Sequence, residues 1–175
     1  NGIYDMCKLV GGVNLNFKNK RFVAILLMFL MISTMPVYAR KQSNTFHIPI
    51  IPQKGIYISS PFGYRMHPIS GKRSMHYGVD IAAPQGTLVH AIADGEVIMA
   101  TGNGSAGNEI RIRHKNGMVT RNLHMSKRTV KKGDKVKKGQ VIGTVGSTGR
   151  STGPHLHFEI SINGKTINPM NIIGR

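Results

Sequence analysis

His155 and His157 stand at i and i+2, directly after the Gly/Ser/Thr-rich run Ser147–Pro154 and at the head of an apolar alternation. In a strand, alternate side chains share a face, so His155, His157 and Glu159 point one way and Leu156, Phe158 and Ile160 the other, into a core. At a rise of about 3.3 Å per residue the two histidine Cα atoms lie roughly 7 Å apart, close enough for both imidazoles to serve one small site. One can bind a metal while the other does proton chemistry beside it. Further donors stand at His76 and Asp80, in Met75-His76-Tyr77-Gly78-Val79-Asp80. Histidine and carboxylate are ordinary zinc ligands, and a catalytic zinc keeps three protein ligands with a fourth position for water. His76, Asp80 and one member of the His155/His157 pair would complete that set.

The backbone must bend to deliver these groups. A straight strand would hold His76 and Asp80 about 13 Å apart. A helix would bring i and i+4 together, but Gly78, the β-branched Val79 and Ile81, and the nearby Pro84 and Gly86 oppose one. Gly78 is the residue that permits the bend. Beyond it, short β-like runs alternate with turn signals, the pattern of an all-β domain. The runs are Glu96–Thr101, Asn108–His114, Met118–Met125, Gln140–Val145 and His155–Ile162, with Asn116-Gly117 and Asn163-Gly164 as hairpin turns. Alternation in Met118–Met125 puts His124 on the face of Thr120 and Asn122, away from Leu123. No sustained 3.6-residue stripe follows residue 39, so helix is confined to single turns there. The predicted fold is all-β: one compact antiparallel β-sheet or β-sandwich domain over residues 56–175, preceded by an N-terminal signal helix.

Three segments together resemble the lysostaphin/LytM-type zinc endopeptidases. They are Ser60-Pro61-Phe62-Gly63-Tyr64-Arg65-Met66-His67-Pro68, then His76-Tyr77-Gly78-Val79-Asp80, then Gly149-Arg150-Ser151-Thr152-Gly153-Pro154-His155-Leu156-His157-Phe158-Glu159. The similarity spans roughly residues 56–170 in the family's order and spacing. It implies one zinc ion per chain, held by His76, Asp80 and His157, and two catalytic histidines that are not ligands, His155 and His124. It also implies a peptidoglycan peptide stem or cross-bridge as substrate; a monomer is expected. The chain departs from the usual pattern at Asn122, at Met125 and in Gly104-Ser105-Ala106-Gly107-Asn108, positions expected to shape the substrate groove. The alternative is a non-catalytic relative that activates another cell-wall hydrolase; such relatives typically lose ligands, and all three are present here. The run Val130–Gly143 carries a rival resemblance, to lipoyl and biotinyl carrier domains. It lacks their modified-lysine turn, and glycine at turn positions accounts for the likeness.

The chain has 175 residues, with 24 Lys+Arg against 7 Asp+Glu and a net charge of +17. That is one domain's worth of sequence. Lys18, Lys20 and Arg21 precede the apolar run Phe22–Ile32, and Val37-Tyr38-Ala39 follows it, the layout of a secretory signal peptide over 18–39 with cleavage after Ala39. Residues 1–17 do not fit a signal's start and form an unassigned leader. The single cysteine, Cys7, falls there, so the exported part is expected to hold no disulfide. The basic residues are dispersed apart from Lys127-Arg128 and the Lys131–Lys138 stretch, and aromatics do not interleave with them, which argues against nucleic acid as a partner. An acidic extracellular polymer fits better. The expected location is the periplasm or the extracellular cell wall, with the membrane touched only through the signal segment.

Residues 40–55, with Pro49, Pro52 and Gly55, read as a linker or an edge extension. They hold His47, which could in principle supply a fourth ligand, but they have no length for a folded inhibitory domain. The part from Arg40 onward is therefore expected to be active without further processing. His47, His90 and His114 read as surface or hydrogen-bonded core histidines, and His67 as a groove or structural residue. Glu159 reads as an acceptor behind an imidazole or as a salt-bridge partner for the basic surface.

Overall fold

The computed structural model describes residues 46–174. The leader, the signal segment with Ala39, Cys7 and the first part of the 40–55 segment lie outside the described residues.

Strands β1 (Tyr57–Ser60), β2 (Gly63–Met66), β3 (Arg73–His76), β4 (Val79–Ala82) and β5 (Leu88–His90) lead into the long pair β6 (Gly95–Asn103) and β7 (Gly107–His114). Then follow β8 (Met118–Met125), β9 (Lys127–Arg128), β10 (Lys135–Val136), β11 (Val141–Thr144), β12 (His155–Ile162), β13 (Lys165–Ile167) and one turn of helix, α1 (Met170–Ile173). The main sheet has eight strands, β1-β4-β12-β8-β7-β6-β10 with β13 against the end of β12; β5-β11-β9 form a second sheet, and β2–β3 a separate hairpin. The pairings are antiparallel. The described residues are all-β with almost no helix, as their alternation predicts.

Turn chemistry sets the registers. Asn116-Gly117 and Asn163-Gly164 have positive φ at both residues (58° and 69°, 49° and 79°), the two-residue geometry whose twist matches that of the flanking strands. Between β9 and β11, Asp134 and Gln140 close two similar turns, each side chain accepting from the backbone N–H three residues earlier, at Lys131 and Lys137 (both 2.9 Å).

Alternation sets the faces. Leu156, Phe158 and Ile160 of β12, Val79 and Ile81 of β4, and Ile110 and Ile112 of β7 are buried in one core, with Val89, Ile142 and Val145 from the side of the smaller sheet. Burying side chains of this size contributes roughly 1.5–3 kcal/mol each. That face of the main sheet is therefore spoken for, and His155, His157 and Glu159 emerge on the other. Residues 46–55 form no strand, yet they pack: Ile50 enters the core, the His47 N–H donates to Ile92 O (2.7 Å) and the His90 N–H to Pro49 O (2.8 Å).

Candidate active site

The open face of the main sheet is the floor of a groove of about 420 Å³. One wall is the β2–β3 hairpin, with Arg65, His67, Ile69 and His76; the other is the Ser147–Pro154 run with the short 3₁₀ turn Gly104–Ala106, contributing Ser105, Ala106, Arg150 and Ser151. Asp80, Arg121, Leu123, His124, His155, His157 and Glu159 line it from β4, β8 and β12.

Asp80 and His157 are direct cross-strand partners of β4 and β12, so their side chains meet on one face. His76 arrives from the end of β3, where the chain breaks at Tyr77-Gly78 before entering β4. The expected bend is there, but the glycine serves it differently. The backbone of Gly78 does not need the left-handed region; it needs space, because a Cβ would lie 2.5 Å from Phe158 O and 3.0 Å from His157 Nε2. Gly78→Ala must push β12 away from β3 and β4. The expected cost is roughly 1–3 kcal/mol, with loss of metal binding at stoichiometric zinc. Thermal unfolding and metal analysis of the variant check both.

Three donor atoms converge. His76 Nε2 lies 3.1 Å from Asp80 Oδ1 and 3.0 Å from His157 Nδ1, and His157 Nδ1 lies 2.7 Å from Asp80 Oδ1. The opposite ring nitrogens are occupied: His76 Nδ1–H donates to Pro61 O (2.7 Å) and His157 Nε2–H to Glu159 Oε1 (3.0 Å). When both are neutral, the two imidazoles thus turn a lone pair inward, beside a carboxylate oxygen. Three acceptors packed together repel unless a cation sits among them, and two backed imidazoles with a carboxylate are a donor set of the kind that holds one. His76, Asp80 and His157 could hold a metal ion.

The electrostatics point the same way. Burial disfavours charge on Asp80, yet hydrogen bonds from His157 and His76 outweigh it and hold the carboxyl well below its usual range. Burial likewise opposes charge on His157, but Asp80 and Glu159 overcome it and push the imidazole up to about 9. Together the two groups favour positive charge within the cluster.

Two more imidazoles flank the donors. His155 Nδ1–H donates to Gly153 O (2.8 Å), leaving Nε2 to face Asp80 Oδ1 at 3.8 Å. His124 Nδ1–H donates to Thr148 O (2.8 Å), and its ring centroid lies 4.9 Å from that of His155. Burial, chiefly, pushes His124 below the ordinary imidazole range despite that hydrogen bond, so it is neutral at pH 7 and able to accept a proton.

The strand parity read from the sequence fails at His124. Thr120 and Asn122 face the core, each 1% exposed, while His124 lines the groove with Arg121 and Leu123. A bulge makes the switch: Asn108 and Ile110 of β7 pair with Met125 and Asn122 of β8, so three residue steps on β8 span two on β7, and His124 takes φ 62°. Asn108 and Thr148 hold it. Asn108 Nδ2–H donates to Met125 O (2.9 Å), the Thr148 hydroxyl donates to Met125 O (2.9 Å), and the Asn108 N–H donates to that hydroxyl (2.9 Å). Sequence reasoning missed both residues; a polar Thr in a turn and an Asn opening a strand were the available signals. Thr148→Val leaves the Met125 carbonyl short of a donor, and the expected result is a stability loss of roughly 1–3 kcal/mol with zinc content unchanged and turnover reduced. Parallel unfolding, metal and activity assays separate these.

The other candidates fall as follows. Asn122 and Met125 lie in the core and do not shape the groove, whereas Ser105 and Ala106 do. His114 is a buried structural residue, with Nε2 on Thr120 Oγ1 (2.9 Å) and Nδ1–H donating to Asp94 O (3.0 Å). His47 packs its ring on His90, centroids 5.5 Å apart, and neither lines the groove. His67 does both jobs assigned to it: it lines the groove and its Nδ1 accepts from the N–H groups of Ile69 and Ser70 (3.2 and 3.3 Å). Glu159 meets both His157 and Arg121.

Comparison with known proteins agrees with this geometry. The chain is 54% identical over 115 residues to the DD-carboxypeptidase/endopeptidase Mpg of Neisseria meningitidis serogroup B, a match that covers 66% of this chain and 26% of that protein. The chain therefore corresponds to about a quarter of the length of such relatives. Among solved structures, a zinc-containing peptidase from Vibrio cholerae superposes with a TM-score of 0.66 at 41% identity, covering 72% of this chain and 39% of that one. The catalytic domain of lysostaphin from Staphylococcus simulans gives a TM-score of 0.62 at 38% identity, covering 68% of this chain and 92% of that one. Residues 74–169, from β3 to the residue before α1 with the donor cluster and both flanking histidines between, match the family model, and the chain belongs to peptidase family M23.

Proposed function

We propose that the protein is a zinc-dependent endopeptidase that cleaves peptide cross-links of peptidoglycan outside the cytoplasm, the D,D cross-link named for its relatives foremost. The observation that carries this reading is the convergence of His76 Nε2, His157 Nδ1 and Asp80 Oδ1, with His124 and His155 beside them, on the floor of an open groove. His76, Asp80 and His157 would hold the zinc, whose contribution is Lewis acidity toward water and a peptide carbonyl.

The chain's own residues supply the rest. Pro61 O and Glu159 fix the tautomers of His76 and His157. Gly153 O and Thr148 O do the same for His155 and His124, so both present Nε2 toward the groove. One of these two accepts a proton from the attacking water at Nε2 and returns it to the leaving amine; the other, when protonated at Nε2, donates that N–H to the developing oxyanion. The groove is lined by charged, polar and apolar side chains from the floor and both walls, which suits a peptide strand lying across it.

The test is digestion of purified cross-linked muropeptide dimers by zinc-loaded protein. D,D-linked dimers become monomers, glycine-bridged material is cut more slowly, and a chelator stops both. Intact dimers in the presence of one bound zinc per chain would overturn the proposal.

A further inference from the structure

A row of alternating charges runs across three strands on the groove face, away from the donor cluster. Glu159 of β12 divides its carboxylate: Oε1 takes the His157 Nε2–H, and Oε2 takes Arg121 Nη1–H of β8 at 2.7 Å. Arg121 Nε–H then donates to Glu109 Oε1 of β7 at 2.7 Å, and the same oxygen accepts from Arg111 Nε–H. The Glu109 side chain is only 4% exposed.

The register explains why the row must be complete. Glu159 stands directly opposite Arg121, and Arg121 directly opposite Arg111. Two guanidiniums in cross-strand register repel, so the buried carboxylate of Glu109 is what allows both. Held through Nε from behind, the Arg121 fork has Nη1 left to meet Glu159. Glu159 in turn is held by one oxygen and has the other for His157. An anchored guanidinium is pre-organised in a way that a free surface ion pair is not.

We propose that Arg121, backed by Glu109 and Arg111, is a positioning residue that clamps Glu159 against His157 and so dictates that Nδ1, rather than Nε2, faces the metal position. Without the clamp Glu159 can swing to solvent, and the imidazole then divides between two tautomers, one of which presents N–H where a lone pair is required. The proposal rests on His157 as a metal ligand. Residues behind a metal-bound histidine are worth on the order of ten- to a hundredfold in metal affinity.

The experiment is a double-substitution cycle on the zinc dissociation constant, measured by chelator competition for the wild type, Arg121→Gln, Glu159→Gln and the pair. Arg121→Gln is expected to weaken zinc on the order of tenfold or more, and to weaken it no further once Glu159 has been replaced. Arg121→Lys, which keeps charge but loses the fork, falls between. Independent effects that multiply, or a lowered melting temperature with an unchanged zinc constant, would reduce Arg121 to a structural cross-strand pair and overturn the proposal. A second readout needs no metal: nitrogen-15 NMR of His157 in alkaline buffer. A proton on Nε2 in the wild type and a mixture in Arg121→Gln supports the clamp even if zinc binding fails and the metal assignment with it. Equal tautomer populations in both proteins overturn the clamp even if zinc binds.

Discussion

With His157 replaced by alanine, the protein should hold no zinc and digest no cell wall; with His155 replaced, it should keep its zinc and lose turnover by on the order of 10²–10⁴-fold. The two side chains sit two residues apart on one face of β12, so a general disturbance of the strand would affect both alike. They differ in what surrounds them. His157 Nδ1 lies within 3.0 Å of both other donors, whereas His155 Nε2 stands 3.8 Å from Asp80 and its ring pairs with His124 instead. Removing one of three protein ligands from a catalytic site removes the ion; removing a proton-transfer group leaves the ion in place. His124→Ala should behave like His155→Ala. Metal content and hydrolysis measured on the same preparations decide the matter, and zinc that departs with His155 and stays without His157 would reverse the assignment.

Zinc affinity should fall about tenfold for each pH unit below the His157 titration near 9. In the metal-free protein Asp80 and Glu159 hold a proton on His157, so binding must expel it. Calorimetry at pH 7 in buffers of different ionisation enthalpy should therefore show about one proton released per zinc, falling toward none in alkaline buffer. The stability of the metal-free protein follows the opposite course. A histidine raised from 6.5 to about 9 on folding contributes stability that is fully present below 6.5 and disappears as the pH rises through 9. At 1.36 kcal/mol per unit this is on the order of 3 kcal/mol, shared with its partner carboxylate. Zinc-loaded protein, with that nitrogen occupied, should melt at nearly the same temperature across the window. A melting temperature of the metal-free form that does not change between 6.5 and 9 would mean that something other than the His157–Asp80 pair holds the cluster together.

The sequence was legible wherever one rule applied at a time. The alternation in His155–Ile162 placed two histidines and Glu159 on one face and three apolar residues in the core, and the Asn-Gly pairs located both tight hairpins. The H-x-x-x-D spacing required a bend, and the bend is there. The misreadings came where a tertiary neighbour decides. Gly78 looked like a conformational hinge, but it is small because Phe158 and His157 pass against it, a fact with no local signature. His124 looked as though it shared a face with Thr120, because the extra residue of a bulge cannot be counted without its partner strand. The short strands β1 to β5 carry too few residues to show a period, and β9 and β10 have two residues each. The Arg111–Glu109–Arg121–Glu159 row joins residues up to 50 positions apart and cannot be seen before the register is known.

The place of β12 in the sheet has a kinetic consequence. This strand carries both histidines of the H-x-H motif and lies between β4 and β8, yet it follows both of them in the chain, and His76 and His157 are 81 residues apart. No local hairpin can assemble the donor cluster. The loop from β4 to β12 must close first, with the entropy cost of long-range pairing, and such topologies fold slowly, on millisecond-to-second scales. Until β12 inserts, β4 and β8 present open edges and separate ligands that grip an ion weakly. If His76, Asp80 and His157 hold a metal as proposed, its capture is a late event coupled to closure of the sheet.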